Sequence, residues 1–252
     1  MVHKRSENEI KMISKSCQIV ADTINMLSEF VVPGALISDL DKKAENFITS
    51  LGARPAFKGY MGFPSTLCIS IEDAVVHGIP GDIELKEGQI VGIDCGAELN
   101  GYYGDHAKTF SVGKISSEKK ELMKITEESL YKGIEKAVPG NYVGDIGYAV
   151  QTHAESNGFS VVRELVGHGI GQNLHEEPQV PNYGTPSQGY KLHAGMCIAI
   201  EPMINLGGRE IYTAKDGWTI LTADGKASAH FEHTIAILED GPKILSKVSY
   251  NG

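Results

Sequence analysis

Residues 90–105 read IVGIDCGAELNGYYGD and contain the dipeptide Asn100-Gly101 between two strand-like runs. Asn-Gly between such runs is the strongest short-range signal for a two-residue hairpin loop of type I′, because both loop residues must adopt a positive φ. We therefore predict antiparallel strands at 90–98 and 102–112, joined by this loop.

The register of this hairpin places two aspartates on one face of the sheet. Counting back from the loop puts Gly96 opposite Asp105, and Asp94 lies two residues before Gly96, on the same face. The aspartates become diagonal neighbours about 7–8 Å apart at the backbone, so their side chains can reach one ion. Gly96 has no side chain, which we expect to leave room for that ion. Solvation or turn capping is the alternative role, but Asp94 stands in an apolar run where an unpaired carboxylate is costly.

Three further metal-binding side chains stand in strand-like or glycine-rich surroundings. They are His168 in GHGIG, Glu201 in IAIEP and Glu232 in HFEHT. Pro202 cannot donate to a sheet ladder, so Glu201 marks the point where a strand leaves its sheet. With the two aspartates the set comprises four carboxylates and one imidazole, which suits two divalent cations because carboxylates can bridge them. If these residues converge, the chain is a two-metal hydrolase.

The chain repeats one pattern of helices and strands. Apolar residues at three-to-four spacing predict helices over 6–30, 38–51, 118–137 and 144–157. Strand-like runs follow each helix pair, at 66–71, 90–98 and 102–112, and then at 160–166, 196–204 and 229–238. The breaker Val32-Pro33-Gly34 recurs 106 positions later as Val138-Pro139-Gly140. Coincidence is the alternative, because Pro-Gly loops often precede helices.

We interpret the repeat as an internal duplication. The prediction is a single domain over 1–252, built of two similar halves at roughly 6–112 and 118–240. Their sheets would lie side by side with helices on the outer face, and the cleft between the halves would be the natural place for a site.

Composition narrows the class of protein. The chain of 252 residues is 41% hydrophobic and 22% charged, which is ordinary for a globular protein. Its net charge of −9 argues against nucleic acid as a partner, because no Lys/Arg stripe exists to displace counterions. The four cysteines form no CxxC pair and predict free thiols in a reducing compartment. With no visible signal peptide or membrane span, we expect a cytoplasmic monomer without a membrane partner.

Six segments together resemble one enzyme family. They are CISIEDAVVHGIP (68–80), IDCG with YGD (93–105), GHGIG (167–171), HEEP (175–178), IEP (200–202) and EHT (232–234). They resemble the type I methionine aminopeptidases in the short bacterial form, which lacks an N-terminal zinc-binding extension, and the resemblance covers nearly the whole chain. It implies the pita-bread fold, an α+β fold of two pseudo-symmetric halves with an antiparallel sheet covered by helices on one face.

The resemblance also implies roles for individual residues. The family's metal ligands fall on Asp94, Asp105, His168, Glu201 and Glu232. Its two substrate-contacting histidines fall on His77 and His175. Its methionine pocket falls on Tyr60, Phe63, Cys68, Leu174 and Trp218. Core packing is the alternative role for Trp218, and a surface position beside two glutamates is the alternative for His175.

Three positions depart from the family pattern. His106 follows the second aspartate, where the family usually has a threonine or an apolar residue, so the local metal preference is in doubt. Phe63 and Leu174 stand where other members carry different large side chains. These two departures bear on the shape of the pocket and leave the expected chemistry unchanged.

The implied reaction is removal of the N-terminal methionine from nascent proteins and peptides, favoured when the second residue is small. Two divalent ions (Mn, Fe, Co or Zn) would activate a bridging water or hydroxide that attacks the first peptide bond. Glu201 is the candidate to accept a proton from that water, and His77 and His175 would hydrogen-bond the scissile amide or the developing oxyanion. The expected partners are nascent polypeptide N-termini, with the ribosome as an expected place of action.

Two other readings of the sequence stay open at this point. One is a proline-directed dipeptidase or aminopeptidase of the same fold, although such relatives usually carry a substantial N-terminal domain. The other is a binding module that keeps the fold without catalysis, although such proteins typically lose ligands and all five are present here.

Overall fold

The first helix begins where the sequence caps it. Ser6 accepts a hydrogen bond from the Glu9 amide, and the Glu9 carboxylate accepts one from the Ser6 amide at 2.8 Å, which forms a capping box. The structure, a computed structural model, describes residues 2–248, and its α-helices are α1 (Glu7–Ser28), α2 (Ile37–Ser50), α3 (Ser117–Lys136) and α4 (Val143–Ser156). All four predicted helices are confirmed to within two residues at each end. No helix among the described residues has the length and apolar character needed to cross a membrane.

The described residues form fifteen strands, in two groups that each follow a pair of helices. The first group is β1 (Arg54–Pro55), β2 (Leu67–Ile71), β3 (Ala74–Val76), β4 (Ile90–Leu99) and β5 (Tyr102–Ser111), with a 3₁₀ turn at Tyr60–Gly62. The second is β6 (Ser160–Val161), β7 (Gly167–Gly169), β8 (Glu176–Val180), β9 (Cys197–Ile200), β10 (Met203–Asn205), β11 (Ile211–Thr213), β12 (Ile220–Thr222), β13 (Ser228–His230), β14 (His233–Leu238) and β15 (Gly241–Ile244).

The described strands pair antiparallel throughout. The first half forms a sheet in the order β1-β4-β2 with β5 on β4, and the second forms a five-stranded sheet in the order β15-β14-β9-β7-β8. Two three-stranded sheets, β13-β10-β6 and β11-β12-β3, complete the set, and the last of these joins strands of both halves. Helices with antiparallel sheets confirm the predicted α+β class.

The predicted hairpin is confirmed in detail. Gly96 faces Asp105 in the register of β4 and β5, as the loop length required. Asn100 and Gly101 have φ values of 54° and 81°, the left-handed conformations that a type I′ loop needs.

Three predicted strands were wrong in their extent. The run 160–166 keeps only β6, because the position on the β10 side that would face Arg163 is Pro202, which has no amide hydrogen. The run 196–204 is broken between β9 and β10 at Glu201 and Pro202. The run 229–238 is broken between β13 and β14, where the Glu232 amide donates instead to the Ala107 carbonyl of β5 at 2.9 Å.

The bounds of the helices repeat along the chain. Helices α2 and α4 are both 14 residues long and begin and end 106 positions apart. Gly34 and Gly140, in the loops before them, have φ values of 87° and 96°. These features agree with two similar halves, and the division of a single domain at roughly 6–112 and 118–240 stays a prediction. Residue 1 and residues 249–252 of the predicted domain lie outside the described residues.

The apolar core has separate parts for the two helix pairs. Buried residues of α1 and α2 pack with β4, among them Ile24, Leu40 and Val91. Buried residues of α3 and α4 pack with β9 and β14, among them Ile134, Ile146, Ile198 and Ile235. A third cluster draws on both parts of the chain and includes Phe57, Cys68, Leu174 and Ala236. It lies beneath the cavity described next.

Candidate metal centre

One cavity collects the side chains that the sequence singles out. Its volume is about 190 Å³, and it is lined by the five candidate metal ligands, by His77 and His175, and by the candidate pocket residues Tyr60, Phe63, Cys68, Leu174 and Trp218. Two further residues that the sequence analysis missed, Phe57 and Met61, complete the lining. The predicted convergence of these residues is therefore present, whereas their individual roles stay predictions.

The two aspartates come from the β4–β5 hairpin. Asp94 pairs with Ala107 and Asp105 pairs with Gly96, so the two carboxylates are diagonal neighbours on one face. They are close enough that a hydrogen bond between the two carboxyl groups affects the pKa of each. Asp105 is buried, and Asp94 is half-buried with its Oδ1 closed off from solvent.

The two glutamates come from a break shared by two paired strands. His233 of β14 pairs with Ile200 of β9, and His230 of β13 pairs with Met203 of β10. Glu201 and Glu232 therefore occupy facing positions in the gap between these pairs. At this point both segments of the chain leave one sheet and enter another, which turns the two carboxylates into the cavity.

His168 stands between the carboxylates. Its Nε2 lies 3.8 Å from Asp105 Oδ2 and 3.6 Å from Glu201 Oε1. Its Nδ1 lies 2.9 Å from the Gly169 carbonyl oxygen, so Nδ1 carries the proton and donates it there. This arrangement leaves the Nε2 lone pair directed at the centre, which is the form of a histidine that binds a metal.

The five side chains do not form one mutually close group. Asp105, His168 and Glu232 each offer a ligand atom, and these three atoms lie within 4.8 Å of one another, which is compatible with a single ion. Asp94 and Glu201 do not belong to this close group. A pair of ions about 3.5–4 Å apart spreads its ligands over a longer distance, with some residues contacting only one ion. The wider set of five therefore fits two ions better than one.

Burial makes the carboxylate cluster unfavourable without a counter-charge. Burial raises the pKa of Asp94 to about 7 and that of Glu201 to about 8. Burial also holds the pKa values of Asp105 and Glu232 well above the usual range, and the neighbouring carboxylates raise these two values further. Burial lowers the pKa of His168 to about 3, so this imidazole is neutral. Divalent cations would supply the missing positive charge.

Unpartnered atoms indicate the same need. Asp94 Oδ1 and Glu232 Oε1 are fully buried and accept no hydrogen bond from any residue that the structure describes. Buried polar atoms in native proteins are normally satisfied, so these oxygens require a ligand from outside the chain. Carboxylate oxygens with one imidazole are donors that Mn, Fe, Co and Zn accept. The residues present fit a pair of divalent cations.

His77 and His175 lie beside the ligand set without belonging to it. His77 adopts φ 59°, a left-handed conformation that costs free energy in a non-glycine residue, and burial lowers its pKa to about 4. The His175 ring packs edge-on against His168 at 4.3 Å between centroids, and its Nδ1 lies 2.9 Å from the Tyr60 hydroxyl. Although His175 is exposed, these contacts turn it toward the cavity.

The apolar side of the cavity is lined by aromatic and sulfur-containing side chains. Phe63 and Trp218 pack edge-on, with ring centroids 5.2 Å apart. Cys68 and Leu174 are buried beneath them, whereas Met61 is 82% exposed at the mouth. Trp218 is only half-buried, so it lines the cavity wall rather than filling the core.

One expectation about this region needs correction, and the effect of His106 on the metal preference stays a prediction. The space above Gly96 is not free for an ion, because a Cβ placed there would lie 2.5 Å from Cε1 of the Phe57 ring. His106, whose side chain points to the opposite face of β5 from Asp105, stacks on His233 at 4.7 Å and lies 2.5 Å through Nδ1 from the Glu232 carbonyl oxygen. It contacts the backbone behind a ligand and does not line the cavity.

The sequence analysis also missed His230. This residue is 3% exposed, and its Nε2 lies 3.6 Å from Glu201 Oε2. The signal that could have found it is the strand alternation already used for the aspartates. Alternation would place His230, two residues before Glu232, on the same face.

Comparisons with known proteins agree with this geometry. The family model for metallopeptidase family M24 matches residues 11–239. Methionine aminopeptidase from Clostridium perfringens is 54% identical over 248 residues, which are 98% of this chain and 100% of the relative. The crystal structure of methionine aminopeptidase from Thermotoga maritima superposes with a TM-score of 0.97 at 43% identity, covering 98% of this chain and 100% of that one. The prolidase from Pyrococcus horikoshii superposes at 0.80 with 27% identity, and the match covers 98% of this chain but only 64% of the prolidase.

Proposed function

The chain belongs to the methionine aminopeptidases of metallopeptidase family M24, and from this premise we propose that Asp94, Asp105, His168, Glu201 and Glu232 hold two divalent cations in its active site. The fold is the pita-bread fold of that family. The enzyme removes N-terminal methionine from polypeptides in a reaction that depends on divalent metal ions. This activity distinguishes it from the two other readings of the sequence, a proline-directed peptidase and a binding module without catalysis.

One observation carries the proposal of a dinuclear centre. Four buried or half-buried carboxyl groups surround one neutral imidazole, and two of their oxygens have no partner among the described residues. A single divalent ion would balance two of the four carboxylates and leave the other two protonated, without a cation for their oxygens. Two ions balance all four charges.

When bound, the cations would act as Lewis acids and lower the pKa of a water molecule at the centre. Glu201 would accept a proton at its carboxylate, since Oε1 faces the Nε2 lone pair of His168, which cannot donate a hydrogen bond. As the general base, Glu201 would then return the proton to the leaving nitrogen. Each proton transfer therefore stays within the cavity.

The neutral histidines position the peptide. His77 and His175 have lowered pKa values because of burial, so each can donate one N–H while its other nitrogen accepts. Tyr60 contacts His175 Nδ1 at 2.9 Å and fixes the direction of its Nε2. We place Nε2 of these residues against the scissile amide and the oxygen on which negative charge develops.

The apolar side of the cavity binds the methionine side chain. Phe63, Trp218 and Cys68 supply aromatic and sulfur contacts that favour an unbranched thioether. Because Met61 and Tyr60 narrow the mouth, a small second residue is favoured over a bulky one.

The test of this function uses the purified chain after chelation and re-addition of Mn²⁺, Fe²⁺, Co²⁺ or Zn²⁺. Release of methionine from Met-Ala-Ser should require metal and saturate at two equivalents, and Gly-Pro and Ala-Pro peptides should remain uncleaved. Glu201→Gln should lower kcat by at least about 10³-fold while the circular dichroism spectrum is unchanged. Retained activity of this variant would remove Glu201 from the reaction, and saturation at one equivalent would remove the second cation.

We also propose that the chain works as a cytoplasmic monomer on nascent polypeptides at the ribosome. The exposed mouth of the cavity supports this proposal, because an extended N-terminus can enter without a second subunit. Sedimentation of the chain alone and with purified ribosomes tests it. A stable dimer, or no co-sedimentation with ribosomes that carry nascent chains, would contradict the corresponding part.

A further inference from the structure

His230 has a buried nitrogen that the proposed reaction does not use. Its Nε2 has no hydrogen-bond partner among the residues that the structure describes, although its side chain is only 4% exposed. Buried polar atoms are normally satisfied, so an orphaned imidazole nitrogen requires a reason. The carboxylate oxygen Oε2 of Glu201 lies 3.6 Å from this nitrogen.

The backbone of His230 is fixed from two sides. Thr109 of β5 donates from Oγ1 to the His230 carbonyl oxygen at 2.8 Å and accepts from the His230 amide at 2.9 Å. On the other side, His230 pairs with Met203 in the β13–β10 ladder. These contacts fix the backbone, and the burial of the side chain keeps the imidazole against Glu201.

The Glu201 carboxylate lies between two imidazoles in a symmetrical way. Oε1 is 3.6 Å from His168 Nε2, and Oε2 is 3.6 Å from His230 Nε2. The two histidines differ in the protonation that their surroundings favour. His168 presents a lone pair, since its Nδ1 proton goes to the Gly169 carbonyl oxygen, whereas a proton on His230 Nε2 would have a carboxylate oxygen to bond.

We propose that His230 is a positioning residue, whose Nε2–H donates to Glu201 Oε2 and leaves Oε1 directed at His168 and the metal centre. The distance exceeds a normal N–H···O hydrogen bond by about 0.4 Å, which a small side-chain rotation closes. The inference rests on the proposed function, because the orientation of Glu201 matters only if it binds metal or accepts the proton. Residues that hold a ligand in place in this way typically affect metal affinity or activity 10–100-fold.

Three substitutions at one position test the role. Gln places an amide nitrogen close to the position of His Nε2 and can donate to Glu201. Asn has the same amide but is one methylene too short to reach Glu201, and Leu has no donor. Mn²⁺ affinity of the metal-free full-length chain is measured by calorimetry, and kcat and KM on Met-Ala-Ser are measured at saturating Mn²⁺. We expect H230L and H230N to bind Mn²⁺ about 10–100-fold more weakly and to have a lower kcat, with KM changed by no more than about twofold. In H230Q, both Mn²⁺ affinity and kcat should lie within about threefold of the unsubstituted chain.

A matched control separates positioning from the loss of any buried imidazole. His233 is 7% exposed, and its Nδ1 hydrogen-bonds the Ser246 hydroxyl and not a group of the metal centre. H233Q should lower the thermal unfolding temperature while Mn²⁺ affinity stays within about threefold. Affinity and kcat that are unchanged in H230L, or that fall equally in H230Q and H230L, would overturn the positioning role. If the unsubstituted chain neither binds Mn²⁺ nor cleaves the peptide, the proposed function has failed instead.

Discussion

The side chain of Thr234 hydrogen-bonds both backbone groups of Asp105. Its Oγ1 donates to the Asp105 carbonyl oxygen at 2.8 Å and accepts from the Asp105 amide at 3.2 Å. Thr109 makes the same pair of bonds to His230, and the Glu232 amide donates to Ala107 between them. A threonine at each end therefore continues an antiparallel ladder between β5 and residues 230–234. This ladder joins the strand that carries one candidate ligand to the segment that carries another.

The first prediction concerns this ladder. Thr234→Val keeps the side-chain volume but removes both hydrogen bonds and leaves the buried Asp105 amide and carbonyl without a partner. We expect a loss of about 1–3 kcal/mol in the free energy of unfolding and at least about tenfold weaker Mn²⁺ binding. Urea unfolding and calorimetry measure these changes.

Thr126→Val is the matched control for this substitution. Thr126 is also fully buried, but its hydroxyl donates to the Leu122 carbonyl of its own helix. The control should lose stability without a change in Mn²⁺ affinity. Equal Mn²⁺ affinities of the two variants would show that the ladder does not position the ligands.

The second prediction concerns an ion pair under the loop that carries His175. The guanidinium of Arg5 pairs with Glu176, and both side chains are almost fully buried. Glu176 also accepts a hydrogen bond from the Asn173 amide at 3.0 Å, so it links Arg5 to the loop. Arg5→Met leaves a buried carboxylate unpaired, and we expect a loss of about 3–5 kcal/mol, of which Arg5→Met with Glu176→Gln recovers a large part. Urea unfolding at pH 7 measures both variants.

An exposed pair provides the comparison. Arg54 pairs with Glu98 at 2.6 Å, but its side chain is 61% exposed. Arg54→Met should cost less than about 1 kcal/mol, because water screens an exposed pair. A loss for Arg5→Met no larger than this would contradict the assigned role of the buried pair.

The third prediction concerns the pH dependence of the metal-free chain. The folded pKa values of Asp94 and Glu201, about 7 and about 8, lie above those of an unfolded carboxyl group, so the folded state binds more protons and loses stability as pH rises through them. The buried histidines have the opposite effect, since their pKa values are lowered, but this effect fades above their ordinary value of 6.5, where the unfolded chain loses its own imidazole protons. Between pH 6.5 and 8 the carboxyl groups therefore dominate.

We expect the metal-free chain to lose at least about 1 kcal/mol over this interval, or about 2–4 °C in Tm for a protein of this size. Saturating Mn²⁺ should abolish the fall, because bound cations keep the carboxylates ionised in the folded state. Thermal unfolding at pH 6.5, 7.2 and 8 with and without Mn²⁺ measures it. A metal-free Tm that is constant or rises over this range would contradict the charge balance assigned to the cluster.

Which features of the site could be predicted from the sequence alone depended on whether a local structural rule applied to them. The Asn100-Gly101 loop specified a register, and the register specified that Asp94 and Asp105 share a face. Glu201 and Glu232 had no such rule. Their facing positions arise because two paired strands break at the same place, and one strand-like run gives no indication of where its partner breaks.

The same limit explains the error near Gly96. Phe57 is 39 positions before Gly96, and its ring occupies the space above the glycine for reasons of tertiary packing alone. No local rule indicates a contact between residues that lie this far apart in the sequence.

The fourth prediction uses the Phe57 contact to separate the methionine pocket from the metal centre. A methyl group at Gly96 would lie 2.5 Å from Cε1 of the Phe57 ring and 3.0 Å from Cβ of Ala56, so we expect the ring to move into the cavity that it lines. Gly96→Ala should therefore lower kcat/KM for Met-Ala-Ser by about tenfold, mainly through KM, because the displaced ring occupies space meant for the substrate. Mn²⁺ affinity should stay within about threefold, since no ligand moves.

A second substitution makes this prediction decisive. Phe57→Leu in the Gly96→Ala background removes the part of the ring that the new methyl group meets, and kcat/KM should recover at least about threefold over Gly96→Ala alone. Phe57→Leu by itself should be mildly harmful, because it enlarges the pocket, so the double-mutant cycle gives a favourable coupling between the two sites. Additive losses in the cycle, or a tenfold loss of Mn²⁺ affinity in Gly96→Ala, would mean that the glycine is needed for the metal centre, as its place opposite Asp105 first suggested.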